Sequence, residues 1–274
     1  MRPIRIALYG DVNLNIIDGS AIWLASLVQV LNRIPRTEVT VLRKAPPRRD
    51  VVTAEFADLP RVTLVSPRRA RATLKPAEAL DELERLDAEQ RFDIVLLRGY
   101  ALCTLAAGRP RLAGRLWVYL TDIPQDPAEL SDQDREDLRR IAGASDRLLC
   151  QTEQLRSYLE GVIGDIANAT ILLPPMVPPL FQRDTAPSGA TPADSGEGTG
   201  TVRRLFYAGK FAPRWGFLET VAAFSALRRD HPQLELHVAG DKIHTPADDP
   251  GYKPAVEAAL TGTEGLVWHG GVTR

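Results

Sequence analysis

From residue 4 to residue 173 the chain repeats one pattern: a short run of apolar residues, then a longer amphipathic stretch. The runs are IRIALY (4–9), EVTVL (38–42), VTLV (62–65), DIVLL (93–97), LWVYL (116–120), RLLCQ (147–151) and TILL (170–173). They are the length of strands, and most lack the alternation of a half-exposed sheet. A strand that is apolar on both sides needs cover on both faces, which is the condition of a parallel sheet between layers of helix. The intervening stretches supply those helices. Over 19–33, Ala21, Leu24, Ala25, Val28 and Leu31 fall on one helical face, and over 76–90 Leu80, Leu83 and Leu86 do the same. Residues 131–144 read as a helix with Ser131 as N-cap and acids in the first turn, and 152–160 as a further one.

The pattern then stops. In the stretch 183–202 the only aliphatic side chain larger than alanine is Val202, and Gly, Pro, Ser and Thr dominate, the composition of a flexible linker. Alternation resumes with strands at 204–208, 234–239 and 266–270 and helices at 215–230 and 254–260. Phe217, Val221, Phe224 and Leu227 are expected to face inward. The expected organisation is therefore a Rossmann-like domain over 1–182, a linker over 183–202, and the first half of a second doubly wound domain over 203–274. Such a half-domain exposes an unpaired sheet edge.

Composition narrows the function classes. A formal net charge of −1 offers no electrostatic footprint for nucleic acid. The N-terminus has no signal-peptide core and no run reaches membrane-spanning length, so the expected location is the cytoplasm. The basic run PRRARATLK (67–75) offers contact with an anionic membrane surface at its inner face, or is a solvated loop. Cys103 and Cys150 read as small buried hydrophobes, and no spacing supports a metal cluster.

In open α/β sheets, ligands meet the carboxyl ends of strands, so the loops there carry the candidates. After the first strand, Asp18, Gly19 and Ser20 precede a helix whose free amides could meet a phosphate or a sugar hydroxyl; the alternative is an ordinary cap formed by Asp18 or Ser20. After 116–120, Asp122 is placed to accept hydrogen bonds from a diol, or to form a turn before Pro124. The loop AGKFAPRWG (208–216) is the most informative: Gly209 ends a strand, and Lys210 and Arg214 stand just before a helix N-terminus, a combination suited to a diphosphate. Gly240, Asp241 and Gly270 lie at the next two strand exits, where a planar base could approach the backbone. His244 and His269 read as structural or solvent-facing. Neither a dinucleotide fingerprint nor a nucleophile elbow occurs.

On these residues the chain resembles the retaining GT-B glycosyltransferases, the group called glycosyltransferase group 1 or family 4. RLFYAGKFAPRWGFLETVAAFSALRRDHPQLELHVAGD (204–241) looks like that family's entry into its second domain, LVWHGGVT like its third strand and nucleobase loop, and LLCQTEQLRSYLE with LLPPMVP like the end of its first. The resemblance implies two Rossmann-like domains, transfer of a hexose from a nucleoside diphosphate sugar to a hydroxyl acceptor (glycan, lipid or small molecule) with retention, and no cofactor or metal. It implies donor contacts at Gly19, Ser20, Gly209, Lys210, Arg214, Gly240, Asp241 and Gly270, acceptor contacts at Asp18 and Asp122, and charge neutralisation by Lys210 and Arg214, with Asp122 a third catalytic candidate. Three departures stand out. Lys210 replaces an arginine, Trp215 a lysine, and Asp122 a residue that is commonly histidine. No glutamate has another eight positions on, so the family's Glu-x7-Glu pair is absent, and the second domain is expected to be incomplete within this chain. Two rival readings remain: a catalytically incomplete relative that binds a ligand or partner, and a nicotinamide oxidoreductase on the same topology.

Overall fold

The structure is a computed structural model that describes residues 2–68, 73–124, 126–164, 170–174, 203–240 and 243–271. The stretch 183–202 and Asp241 lie outside these residues, as do 69–72 of the basic run and the side chain of Arg214. The chain divides into two compact units, Met1–Arg183 and Asp184–Arg274.

The first unit is a seven-stranded, all-parallel sheet. Its strands are β1 (Ile4–Tyr9), β2 (Thr37–Leu42), β3 (Val62–Val65), β4 (Ile94–Arg98), β5 (Leu116–Tyr119), β6 (Ser145–Cys150) and β7 (Thr170–Leu172), in the order β3-β2-β1-β4-β5-β6-β7. Side chains alternate between two cores. Ala7, Tyr9, Val95 and Leu97 join one core, and Ile6, Leu8, Val41 and Leu96 join the other, which explains why these strands are apolar throughout. The first core is closed by α2 (Pro76–Gln90), α3 (Tyr100–Ala106), α4 (Asp132–Ala144) and α5 (Glu153–Ile163), the second by α1 (Gly19–Arg33).

Local chemistry sets the helix ends. Ser131 and Asp134 form a reciprocal capping box at α4, and Thr152 Oγ1 caps α5. The sequence pattern does not single out α3. Its residues YALCTLA are too uniformly apolar to show a polar face, and Leu102, Cys103 and Ala106 are buried. Both cysteines are free and buried; burial raises both thiols, Cys150 to about 11, so neither is a thiolate nucleophile near neutral pH.

The second unit runs β8 (Arg204–Ala208), α6 (Phe217–Asp230), β9 (Glu235–Ala239), α7 (Tyr252–Gly262) and β10 (Leu266–Trp268), with parallel strands in the order β10-β9-β8. Its core gathers Phe211, Phe217, Val221, Phe224, Leu236, Val238, Tyr252 and Val256. Leu227 does not join it and is half exposed. From Phe217, Val221 and Phe224 the 3.6-residue period continues to position 228. Arg228 takes that place, donating to the Leu234 carbonyl and pairing with Glu264. The opposite face of the sheet carries Phe206, His237 and Val267 in one cross-strand row, with Phe206 66% exposed.

Candidate functional site

The candidates of the first unit lie where β1, β2, β4 and β5 end. Beyond β1, Asp11 takes a left-handed backbone at φ +52°. Its carboxylate accepts from Tyr9 Oη at 3.0 Å and pairs with Lys44 Nζ at 2.9 Å. Burial and then the Asp11 charge push the Tyr9 hydroxyl well above its ordinary range, so it stays a donor. Sequence reasoning missed this Tyr9–Asp11–Lys44 cluster, because Lys44 is distant in the chain.

Asp18 is the N-cap of α1. Its Oδ1 accepts from the Ser20 and Ala21 amides, both at 2.9 Å, and Ile22 N donates to the Asp18 carbonyl. Two of the amides proposed for an incoming anion are thus already paired. Gly19 keeps an open flank, since a Cβ there would meet nothing within 4 Å. Asp18→Ala should therefore cost about 0.5–2 kcal/mol through loss of the cap, read from the shift in a urea unfolding curve of the first unit. Asp122 is exposed, with a left-handed backbone at φ +64°, and accepts from Thr121 Oγ1 at 3.1 Å. A non-glycine residue held there is uncommon and recurs at functional turns.

In the second unit the three strand exits are laced together. Gly209 N donates to the Ala239 carbonyl at 3.3 Å, Gly240 N to the Gly270 carbonyl at 2.8 Å, and Trp268 Nε1 to the Gly240 carbonyl at 2.7 Å. Gly209, Gly240 and Gly270 are thus brought to one end of the sheet. Lys210 is exposed and, among the described residues, no carboxylate pairs with it; its Nζ stands 5.9 Å from the centre of the Trp215 ring. Tyr207 Oη donates to the Lys210 carbonyl at 3.0 Å, and Phe211, the residue after Lys210, is fully buried. The loop is therefore anchored while its cation stays free. Gly216, left-handed at φ +63°, opens α6 without a side-chain cap. Trp215, where the resemblance would place a lysine, is 54% exposed.

His269 does not stand alone. His237 Nδ1 and His269 Nε2 lie 2.9 Å apart, and His237 Nε2 lies 3.2 Å from Glu235, whose carboxyl this histidine holds below its usual range. Among the described residues no group of three or more His, Cys, Asp or Glu is placed to hold a metal, and no helix is long and apolar enough to cross a membrane.

No family model matches the chain, and no curated protein matches it either. Solved structures do. HepE of Anabaena in complex with UDP and glucose matches with a TM-score of 0.65 at 14% identity, over 98% of this chain and 70% of that one. Sucrose-phosphate synthase of Thermosynechococcus elongatus matches with a TM-score of 0.66 at 14% identity, over 100% and 71%. The UDP-GlcNAc 2-epimerase of Neisseria meningitidis bound to UDP-GlcNAc matches with a TM-score of 0.60 at 12% identity, over 100% and 73%. The likeness shows the fold: this is an α/β protein of the GT-B type, with a seven-stranded parallel sheet and a second, small parallel sheet.

Proposed function

We propose that the protein is a glycosyltransferase that moves a sugar from a nucleoside diphosphate donor to a hydroxyl acceptor with retention. The observation that carries this reading is the second unit's strand ends. Three strand exits are laced together at one end of the sheet, open space over Gly270 lets a base or ribose approach backbone, and Lys210, which no carboxylate pairs with among the described residues, stands before a helix start without a side-chain cap. Solved proteins of this fold hold UDP or a UDP-sugar, which supports the same ligand class here. Lys210, with Arg214 four positions on in the chain, neutralises the charge that grows on the departing diphosphate. Gly209, Gly240, Asp241 and Gly270 are assigned to the nucleotide, and Gly19 and Ser20 to donor binding. Asp122 and the second carboxylate oxygen of Asp18 accept from the acceptor's hydroxyls. The work is assigned to the cytoplasm, and contact with the inner membrane face through the run 67–75 belongs to the same reading.

An epimerase of the donor sugar is the second reading, because one of the matching folds is a UDP-GlcNAc 2-epimerase. A panel of UDP- and GDP-sugars with simple sugar acceptors separates the two. Transfer releases nucleoside diphosphate and gives a product whose anomeric proton coupling matches the donor's. Epimerisation changes the sugar and needs no acceptor. A chain that binds neither UDP nor GDP by calorimetry refutes both.

A further inference from the structure

We propose that the first unit carries an oxyanion-binding site of its own, built by Arg43 and Arg98, that takes a small phosphorylated ligand. The argument starts from strand register. Leu8 of β1 pairs with Val41 of β2 on one side and with Leu96 of β4 on the other, and all three belong to the core under α1. Two residues further along, alternation returns the same face at Gly10, Arg43 and Arg98. The ladder still runs at this level, since Arg43 N donates to the Val65 carbonyl and Arg98 pairs with Tyr119. The two arginines therefore flank Gly10 at the carboxyl end of the sheet. Their Cα atoms are two strand spacings apart, about 10 Å; Leu24, Val12 and Trp23 fill the space over Gly10 itself, so an anion shared by the two side chains sits outward of these residues.

The place is also the topological switch point. β2 and β3 extend from β1 in one direction and β4 to β7 in the other, and the crevice at such a reversal is where open α/β sheets take ligands. Gly10 lets α1 seat directly on it: a Cβ there would lie 2.9 Å from Leu24 Cδ1.

The second line of argument is hydrogen-bond accounting. Most other partly buried cations of this unit are paired: Lys44 with Asp11, Arg85 with Glu82, Arg109 with Asp81 and Arg115 with Asp87. Arg43 and Arg98 are both partly buried, and among the described residues neither has an ion pair or a side-chain hydrogen bond. Arg98 has its guanidinium carbon 5.5 Å from the centre of the Trp23 ring, a cation–π contact that consumes none of its N–H donors in a hydrogen bond to an acceptor. Burial without a counter-charge lowers Arg43 from its ordinary value, the mark of a cation short of a partner. Two unsatisfied forks, each able to give parallel N–H bonds, match a phosphate group better than a lone hydroxyl. Lys44 cannot serve in their place, because Asp11 already holds it.

This site stands whether or not the second unit binds a nucleotide, and its test avoids nucleotides. Inorganic phosphate and glycerol phosphate are titrated calorimetrically at low ionic strength into the full chain carrying Lys210→Ala, so that the second unit's loop does not account for the heat. Arg43→Met and Arg98→Met should each weaken binding at least tenfold, Arg98→Lys should restore part of it, and Arg139→Met on an exposed stretch of α4 should change nothing. Thermal melts report whether each variant folds; should Arg98→Met fail to, Arg43→Met and Arg98→Lys carry the decision. Equal affinity across the folded variants, or no phosphate binding by the parent, overturns the proposal.

Discussion

Gly240→Ala should destabilise the second unit by about 2–4 kcal/mol, the sum of an overpacking cost and a strained backbone. A Cβ at this position would lie 2.6 Å from the Gly209 carbonyl oxygen and 3.1 Å from Phe211 Cζ, at φ +155°. The first neighbour is backbone and the second is a fully buried ring, so neither can yield cheaply. The same residue donates to the Gly270 carbonyl and accepts from Trp268, so a shift here is felt at all three strand exits. Amide hydrogen exchange reads the result by region. Protection should fall over 203–271 and hold over the first unit. Gly19→Ala serves as the comparison, because its Cβ enters open space. Equal protection in the Gly240→Ala chain would show that the loops have slack that the structure does not contain.

Lys210→Ala should weaken UDP binding by roughly 10- to 100-fold, the usual worth of one charge-assisted contact to a diphosphate. Its effect on folding should be small, because the side chain is exposed and its contact is the face of Trp215. That separation makes the result interpretable: affinity should move while the melting temperature does not. Lys210→Arg tests the chemistry further. A guanidinium restores the bidentate fork that the resemblance leads one to expect, so affinity should equal or exceed the parent's. The losses should shrink as salt rises, since part of the contact is Coulombic and screened. Unchanged UDP affinity in Lys210→Ala would remove the diphosphate from this loop.

Much of the architecture was legible because it depends on short-range rules. Apolar runs such as IALY (6–9) point to strands buried on both faces, and the helix over 19–33 begins where Asp18 caps it. What escaped depends on relations between distant residues. Helix α3 has no polar face to announce it. Leu227 fits the inward face by a period that a one-residue drift hands to Arg228. Lys44 reads as a solvated charge until folding sets it beside Asp11, and Arg43 and Arg98 look like ordinary strand-end cations until register places them on either side of Gly10. The candidate loop 208–216 could be read locally because its glycine, lysine and tryptophan lie within a few positions of each other. The departure at Trp215 was visible as a letter, but its exposure and its place beside Lys210 were not.

The strand order also bears on how the two sheets can form. In the second unit each strand pairs with the next one along the chain, Arg204 with Glu235 and Leu236 with Leu266, so its sheet can grow as a series of short loop closures. The first unit can do so for every neighbouring pair but one, β1 with β4. Its central pair joins Ile6 to Ile94, a closure that spans β2, β3 and α2 in the chain. Non-local pairing of this kind raises contact order and slows the search. A nascent chain would therefore hold β1 with one side unpaired until β4 emerges. The edge most exposed to mispairing in that interval is the one that later lines the switch point.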